Sequence, residues 1–258
     1  MKNIFLLLML SVSIPFFAQK EGKIPNYFSL EFELGSNTIQ GDINKNLAIR
    51  NGIKNYWGID RIDTETLHTN IGIKPQYTIG NGSLSFATGL RLHIFNTELE
   101  GLYGNKSKHY FFLKYQETDD VLKLARVESI KEKTYYLGIP LEIKTTPIKW
   151  SWLGFYIKVG AELGLKMNGD LEFNLLDQRM NKYPLKTFLP SNIIDGSNQF
   201  YSSIYSSLGF SITFAKKYIF SLETVMPKIL TKNNITLREQ KSMGGVQVSL
   251  NIPLNLKK

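Results

Sequence analysis

Between Leu153 and Met167 the chain alternates strictly between apolar and polar side chains. Leu153, Phe155, Ile157, Val159, Ala161, Leu163, Leu165 and Met167 share one parity. Gly154, Tyr156, Lys158, Gly160, Glu162, Gly164 and Lys166 share the other. Successive side chains of a strand point to opposite faces, so this segment carries one oily and one wet face. A helix would spread both sets around its circumference. At roughly 3.3 Å per residue, a strand of this length crosses a bilayer at a tilt.

The same period recurs along the chain and predicts eight strands. They are Tyr27–Gly35, His68–Ile79, Ser83–Phe95, Lys131–Lys144, Leu153–Met167, Tyr201–Phe214, Tyr218–Met226 and Gly245–Leu254. The connections alternate in length. Gly80-Asn81-Gly82, Thr145 to Ser151 and Ala215-Lys216-Lys217 are short; 36–67, 96–130, 168–200 and 227–244 are long. Short turns at one end and long loops at the other are the pattern of a transmembrane barrel. The expected fold is all-β: an eight-stranded antiparallel up-and-down transmembrane β-barrel with long extracellular loops. Within the loop 96–130, Lys108 to Gln116 reads either as an extension of the third strand's hairpin or as a separate β element, and Asp119 to Val127 as a short helix.

A soluble lipocalin-like barrel is the rival, because it also alternates but turns its apolar face inward around a ligand. The wet face favours the membrane reading. Gly154, Gly160, Gly164, Ser207, Gly209 and Ser211 are small, which suits the crowded lumen of an eight-stranded barrel.

Lys2, an apolar run from Ile4 to Phe17, and Ala18-Gln19 read as a secretory signal over residues 1–18. Residues 19–258 then form one barrel domain, and the localisation expected is integral to the outer membrane. With no cysteine in the chain, a lipid-anchored cysteine, disulfides and thiolate metal sites are excluded. The formal charge of +9 is scattered over loops and wet faces. That distribution fits contact with outer-membrane lipid and lipopolysaccharide better than nucleic acid, for which no basic helix or stacking motif is present.

Thr134 to Lys144 (TYYLGIPLEIK) resembles the tyrosine-leucine-x-isoleucine-proline-leucine segment of the Bacteroidota outer-membrane β-barrel family that includes PorT-like proteins. The matching residues are Tyr136, Leu137, Ile139, Pro140, Leu141 and Lys144. Gly154 to Lys166 is similar to that family's next strand. The resemblance implies an eight-stranded outer-membrane barrel, inserted by the barrel-insertion machinery, and names no activity. Pro140 removes a ladder donor, so a bulge or kink is expected there.

The chemistry legible in the residues is a lumenal polar network. Glu31, Glu33, Lys74, Arg91, His93, Glu142, Lys144, Lys158, Glu162, Lys166 and Glu223 fall on wet faces, where charges must pair or meet water. Glu142 and Lys144 are expected to face Lys158 and Glu162. His68 and His109 read as strand-end or loop residues. No catalytic, cofactor or metal motif stands out; Ser85, His93 and Glu142 sit at unmatched depths for a hydrolytic triad. Trp57, Tyr103, Tyr110 and Tyr183 in the long loops are candidate anchors for a protein partner. The expected role is therefore a non-enzymatic surface interaction, assembly or secretion-accessory function. A small-solute channel, a soluble ligand-binding barrel and a lipid-modifying enzyme stand as alternatives.

Overall fold

The computed structural model describes residues 26–50, 62–80, 82–101, 110–118, 121–215, 218–232 and 234–254. The expected signal segment and the loop aromatics Trp57 and Tyr103 lie outside the described residues.

The described residues form ten strands: β1 Tyr27–Ile43, β2 Ile62–Ile79, β3 Leu84–Thr88, β4 Leu90–Gly101, β5 Phe111–Thr118, β6 Val121–Lys149, β7 Leu153–Leu175, β8 Phe200–Phe214, β9 Tyr218–Ile229 and β10 Arg238–Pro253. β3 and β4 are two halves of one wall strand. Both pair with β2 and with β6 in one continuing register, interrupted at Gly89. β1 pairs with β2 on one side and β10 on the other, which closes the ring. The wall therefore has eight antiparallel strands, as the alternation requires, and β5 stands outside the ring on β6.

The wall is inside out relative to a soluble protein. Leu137, Ile139, Leu141 and Ile143 of β6 are exposed, as are Leu163 and Leu165 of β7 and Ile204, Leu208 and Phe210 of β8. The intervening Glu142, Lys158, Glu162, Ser203 and Ser207 are buried. This orientation removes the lipocalin-like alternative, because the apolar face points outward. Trp150 and Trp152 are both 58% exposed at the β6–β7 turn. Trp152 has the inward parity of β7 but belongs to the turn, where strand parity does not apply.

The strands run further than expected at the long-loop end. β1 continues to Ile43, β2 begins at Ile62, and β6 begins at Val121. The segment read as a short helix, Asp119 to Val127, is strand from Val121, because β5 pairs with it as a hairpin arm. At that end two β-bulges reset the alternation between β6 and β7. Tyr135 pairs with Asn168 and Tyr136 with Lys166, leaving Met167 as the extra residue of β7. Val127 pairs with Leu175 and Ser129 with Asn174, leaving Glu128 as that of β6. An extra residue moves every following side chain to the opposite face. Leu171, Phe173 and Leu175 therefore turn inward, while Asp170 and Glu172 stand exposed.

The inward residues of these extensions build an apolar core above the wall. Leu47, Leu99, Phe111, Leu113, Val127, Ile130 and Leu237 are buried in it. The segment between β7 and β8 supplies Phe188, Leu189 and Ile193 from short helical turns, among them Ser191–Ile194. Phe188 meets Tyr115 at 5.2 Å and Phe173 at 5.5 Å between ring centres.

Pro140 causes no register shift. It pairs with Glu162 of β7, and the interruption expected of it falls on its other side, opposite Gly89 between β3 and β4. A side chain at 89 would run into the backbone of Ile73 and Lys74, so only glycine fits this gap. At the β2–β3 hairpin, Gly80 and Gly82 take positive φ of 60° and 81°, as its glycines lead one to expect.

Candidate functional site

The lumen is filled in layers, and each layer follows from which side chains the strands aim inward. At the short-turn end Gln76, Thr78 and Ser85 form a polar floor. The Gln76 amide donates to Thr78 Oγ1 at 3.2 Å, and the Thr78 and Ser85 hydroxyls share a bond of 3.1 Å.

Above the floor lies the charge network. Lys74 Nζ sits 3.0 Å from Glu31, 2.6 Å from Glu33 and 2.5 Å from Glu142. These three carboxylates converge as metal ligands do, but the ammonium group occupies the point of convergence. Arg91 donates through Nε to Glu33, through Nη2 to Glu142 at 2.7 Å, and through Nη1 to Glu162 at 2.8 Å. Lys158 pairs with Glu223, which also accepts from Ser207 and Gln247 at 2.7 Å each. Tyr205 donates to Glu142 at 2.6 Å and accepts from Arg91 at 3.1 Å. All of these charged side chains are less than 6% exposed. Buried charges with this many partners are held rigidly, and removing one strands the others.

Two members of the expected set fall outside it. Lys144 faces Lys158 across the β6–β7 register, so it has no carboxylate partner there. It is half-buried, with Nζ 4.0 Å above the Tyr156 ring. The pairing expected between Glu142/Lys144 and Lys158/Glu162 is thus reduced to Lys158 with Glu142, at 3.8 Å. Lys166 lies beside the Met167 bulge, above the network, and donates to the Ser197 carbonyl at 3.3 Å.

Three buried lumenal residues lie outside the set expected from the sequence. His68, read as a strand-end residue, is buried within β2, because β2 starts six residues earlier than expected. Its ring nitrogen lies 2.8 Å from His93, which in turn reaches Glu162 at 2.5 Å. Phe95, Tyr136, Tyr201 and Ile39 form an aromatic and aliphatic lid over this pair. His68 stacks on Phe95 at 4.5 Å, and His93 leans on Tyr201 at 4.8 Å. Tyr205 and Gln247 also escaped notice. Their signal was available, since each has the inward parity of its strand.

The small wet-face residues now have a specific use. A methyl group at Gly72 would overlap Glu33, one at Gly138 would overlap Glu162, and one at Gly160 would overlap the Tyr205 ring. Each glycine is the space into which a network side chain from a neighbouring strand lies. Of the hydrolytic trio considered, Ser85 bonds to Thr78, Glu142 to Lys74 and Arg91, and His93 to His68 and Glu162. The structure does not bring them together. Tyr183, a candidate loop anchor, packs edge-on against Phe188; Tyr110 packs edge-on against Phe112.

Fold and lumen together define a closed eight-stranded barrel with an apolar exterior and a charged, occluded interior. No family model matches the chain, and no curated protein matches it in sequence. Similar solved structures include Ail, the attachment invasion locus protein of Yersinia pestis, in complex with the heparin analogue sucrose octasulfate. It shares 9% identity at a TM-score of 0.36, over 89% of this chain and 98% of that one. The outer membrane protein OprG of Pseudomonas aeruginosa shares 13% identity at 0.35, over 90% and 94%. The translocator domain of the autotransporter NalP of Neisseria meningitidis shares 7% at 0.24, over 98% and 96%.

Proposed function

We propose that this chain is an integral outer-membrane barrel with a sealed lumen, whose working surface is the crown of strands above the apolar band. The observation that carries the reading is the inversion of the wall. A belt of large exposed apolar side chains surrounds a core of buried charge, which is stable in lipid and unfavourable in water. Short turns then lie in the periplasm and long connections outside. The layered lumen supports a non-channel role, because network, lid and crown core lie one above another across it.

The outward faces of the crown are charged. Lys131 pairs with Glu98 at 2.7 Å, Lys241 with Asp42 at 2.5 Å, and Asp170 and Glu172 stand beside Lys133 and Lys131 in register. Such a surface suits a polar partner: the headgroups of lipopolysaccharide, or a protein engaged in surface interaction, assembly or secretion. The resemblance to PorT-like proteins fits this class without choosing among those roles. Among the described residues, no arrangement of nucleophile, base and oxyanion donors favours an enzyme. The test has two arms. Protein reconstituted in planar bilayers should give no steady conductance; a stable open level restores the channel reading. A photo-crosslinker at position 172 in whole cells should trap a discrete partner; a label found only on lipid overturns the protein-partner role.

A further inference from the structure

Asn37 of β1, His68 of β2, His93 of β4 and Glu162 of β7 form one hydrogen-bonded line across the lumen. The separations are 3.1 Å from Asn37 Nδ2 to His68 Nδ1, 2.8 Å from His68 Nε2 to His93 Nδ1, and 2.5 Å from His93 Nε2 to Glu162 Oε1. All four residues are less than 5% exposed. Both nitrogens of both rings are used inside the line.

A neutral imidazole offers one donor and one acceptor, so the line has a direction. With both rings neutral, Asn37 donates to His68, His68 to His93, and His93 to the Glu162 carboxylate. One added proton is accepted with every bond kept. The central N–H then lies between the two rings, and His68 Nδ1–H donates to Asn37 Oδ1 once that amide turns over. The Asn37 Oδ1 atom is buried and has no partner among the described residues in its present orientation, so the acceptor is in reserve. A second added proton would set two N–H groups against each other at 2.8 Å. The line therefore accommodates one extra proton and excludes two.

The surrounding charges call for that proton. Glu31, Glu33, Glu142, Glu162 and Glu223 supply five negative charges to the lumen. Lys74, Arg91, Lys158 and the half-buried Lys144 supply four positive ones. A net charge held away from water is unfavourable. The groups facing the pair are Arg91 from β4, Glu162 from β7, and the rings of Phe95 and Tyr201, with Tyr136 of β6 behind them. Glu162 is the carboxylate in contact with the pair.

We propose that His68 and His93 form a proton-binding site that holds one shared proton at neutral pH and supplies the lumen's fifth positive charge. The site ties together four wall strands, β1, β2, β4 and β7. A second proton, in acid, breaks the line at its centre and loosens those strands from within.

The test uses the folded full chain in lipid nanodiscs, labelled with ¹⁵N-histidine, in a His109→Gln background that removes the remaining histidine. Ring-nitrogen NMR at pH 7 counts protonated nitrogens directly. The expected count is three of four across the pair. Two of four, a neutral pair, overturns the proposal, and so does four of four. Glu162→Gln, checked for folding by heat-dependent gel mobility, should lower the count to two. A count of three that survives this substitution overturns the charge-balance argument. If the variant does not fold, the parent count alone decides.

Discussion

Replacing Arg91 with methionine removes the guanidinium at the centre of the network while keeping most of the side-chain volume. Arg91 contacts Glu33, Glu142 and Glu162, and donates to the Tyr205 hydroxyl. At an effective dielectric of about 20, one such contact is worth about 6 kcal/mol of gross attraction, much of it offset by desolvation. The three carboxylates are not left bare. Glu33 and Glu142 keep Lys74 at 2.6 and 2.5 Å, and Glu162 keeps His93 at 2.5 Å. The expected loss is therefore that of one broken buried pair, about 3–5 kcal/mol, and not the sum of three. Adding Glu162→Gln removes one of the charges left behind and should return about 1–2 kcal/mol, a coupling typical of contacting residues. Reversible urea unfolding in phospholipid vesicles, followed by tryptophan fluorescence, measures both. A loss below about 1 kcal/mol, the value of an exposed ion pair, would refute the view that these charges are shielded from water. Strict additivity of the two substitutions would refute their direct coupling.

Gly138→Ala places a methyl group on Glu162 Oε1 and should destabilise the barrel by about 1–3 kcal/mol, the range for overpacking, in the same unfolding assay. Glu132 lies above the apolar band, between the outward-facing Lys131 and Lys133, and accepts from the backbone N–H groups of Thr236 and Leu237. Burial raises its carboxyl above the usual carboxylate range, against the lowering effect of those N–H groups. The folded state then binds that proton more tightly than the unfolded chain. Its contribution is complete below the ordinary carboxylate value and is lost as pH rises through the raised one. The stability of the parent relative to Glu132→Gln should accordingly fall as pH rises through that window; a flat difference across urea titrations refutes the assignment. Trp150 and Trp152, exposed at the short-turn end, should be quenched by brominated lipid in a Trp57→Phe background, and quenching by aqueous iodide alone would remove that end from the membrane interface.

The alternation of side chains determined the wall by itself. A period of two with one apolar face leaves little choice of register, so the eight wall strands, their antiparallel order and the inward set Glu31, Glu33, Lys74, Arg91, His93, Glu142, Lys158, Glu162 and Glu223 were all legible before any coordinate. The glycines at 80 and 82 announced their turn because the backbone there needs positive φ. Parity carries no information on depth or partner, and there the tertiary structure decided. Stagger between strands put Lys144 opposite Lys158, and sent Arg91 to three carboxylates on three other strands. The length of β2, set by pairing with β4 at residues 62–73, carried His68 inside to meet His93. The bulges at Glu128 and Met167 inverted the faces above the wall. Leu171, Phe173 and Leu175, of one parity with the lipid-facing residues below them, became core. A bulge is one residue accommodated by the neighbouring strand's register, a property of two segments at once, and so it does not show in either segment alone.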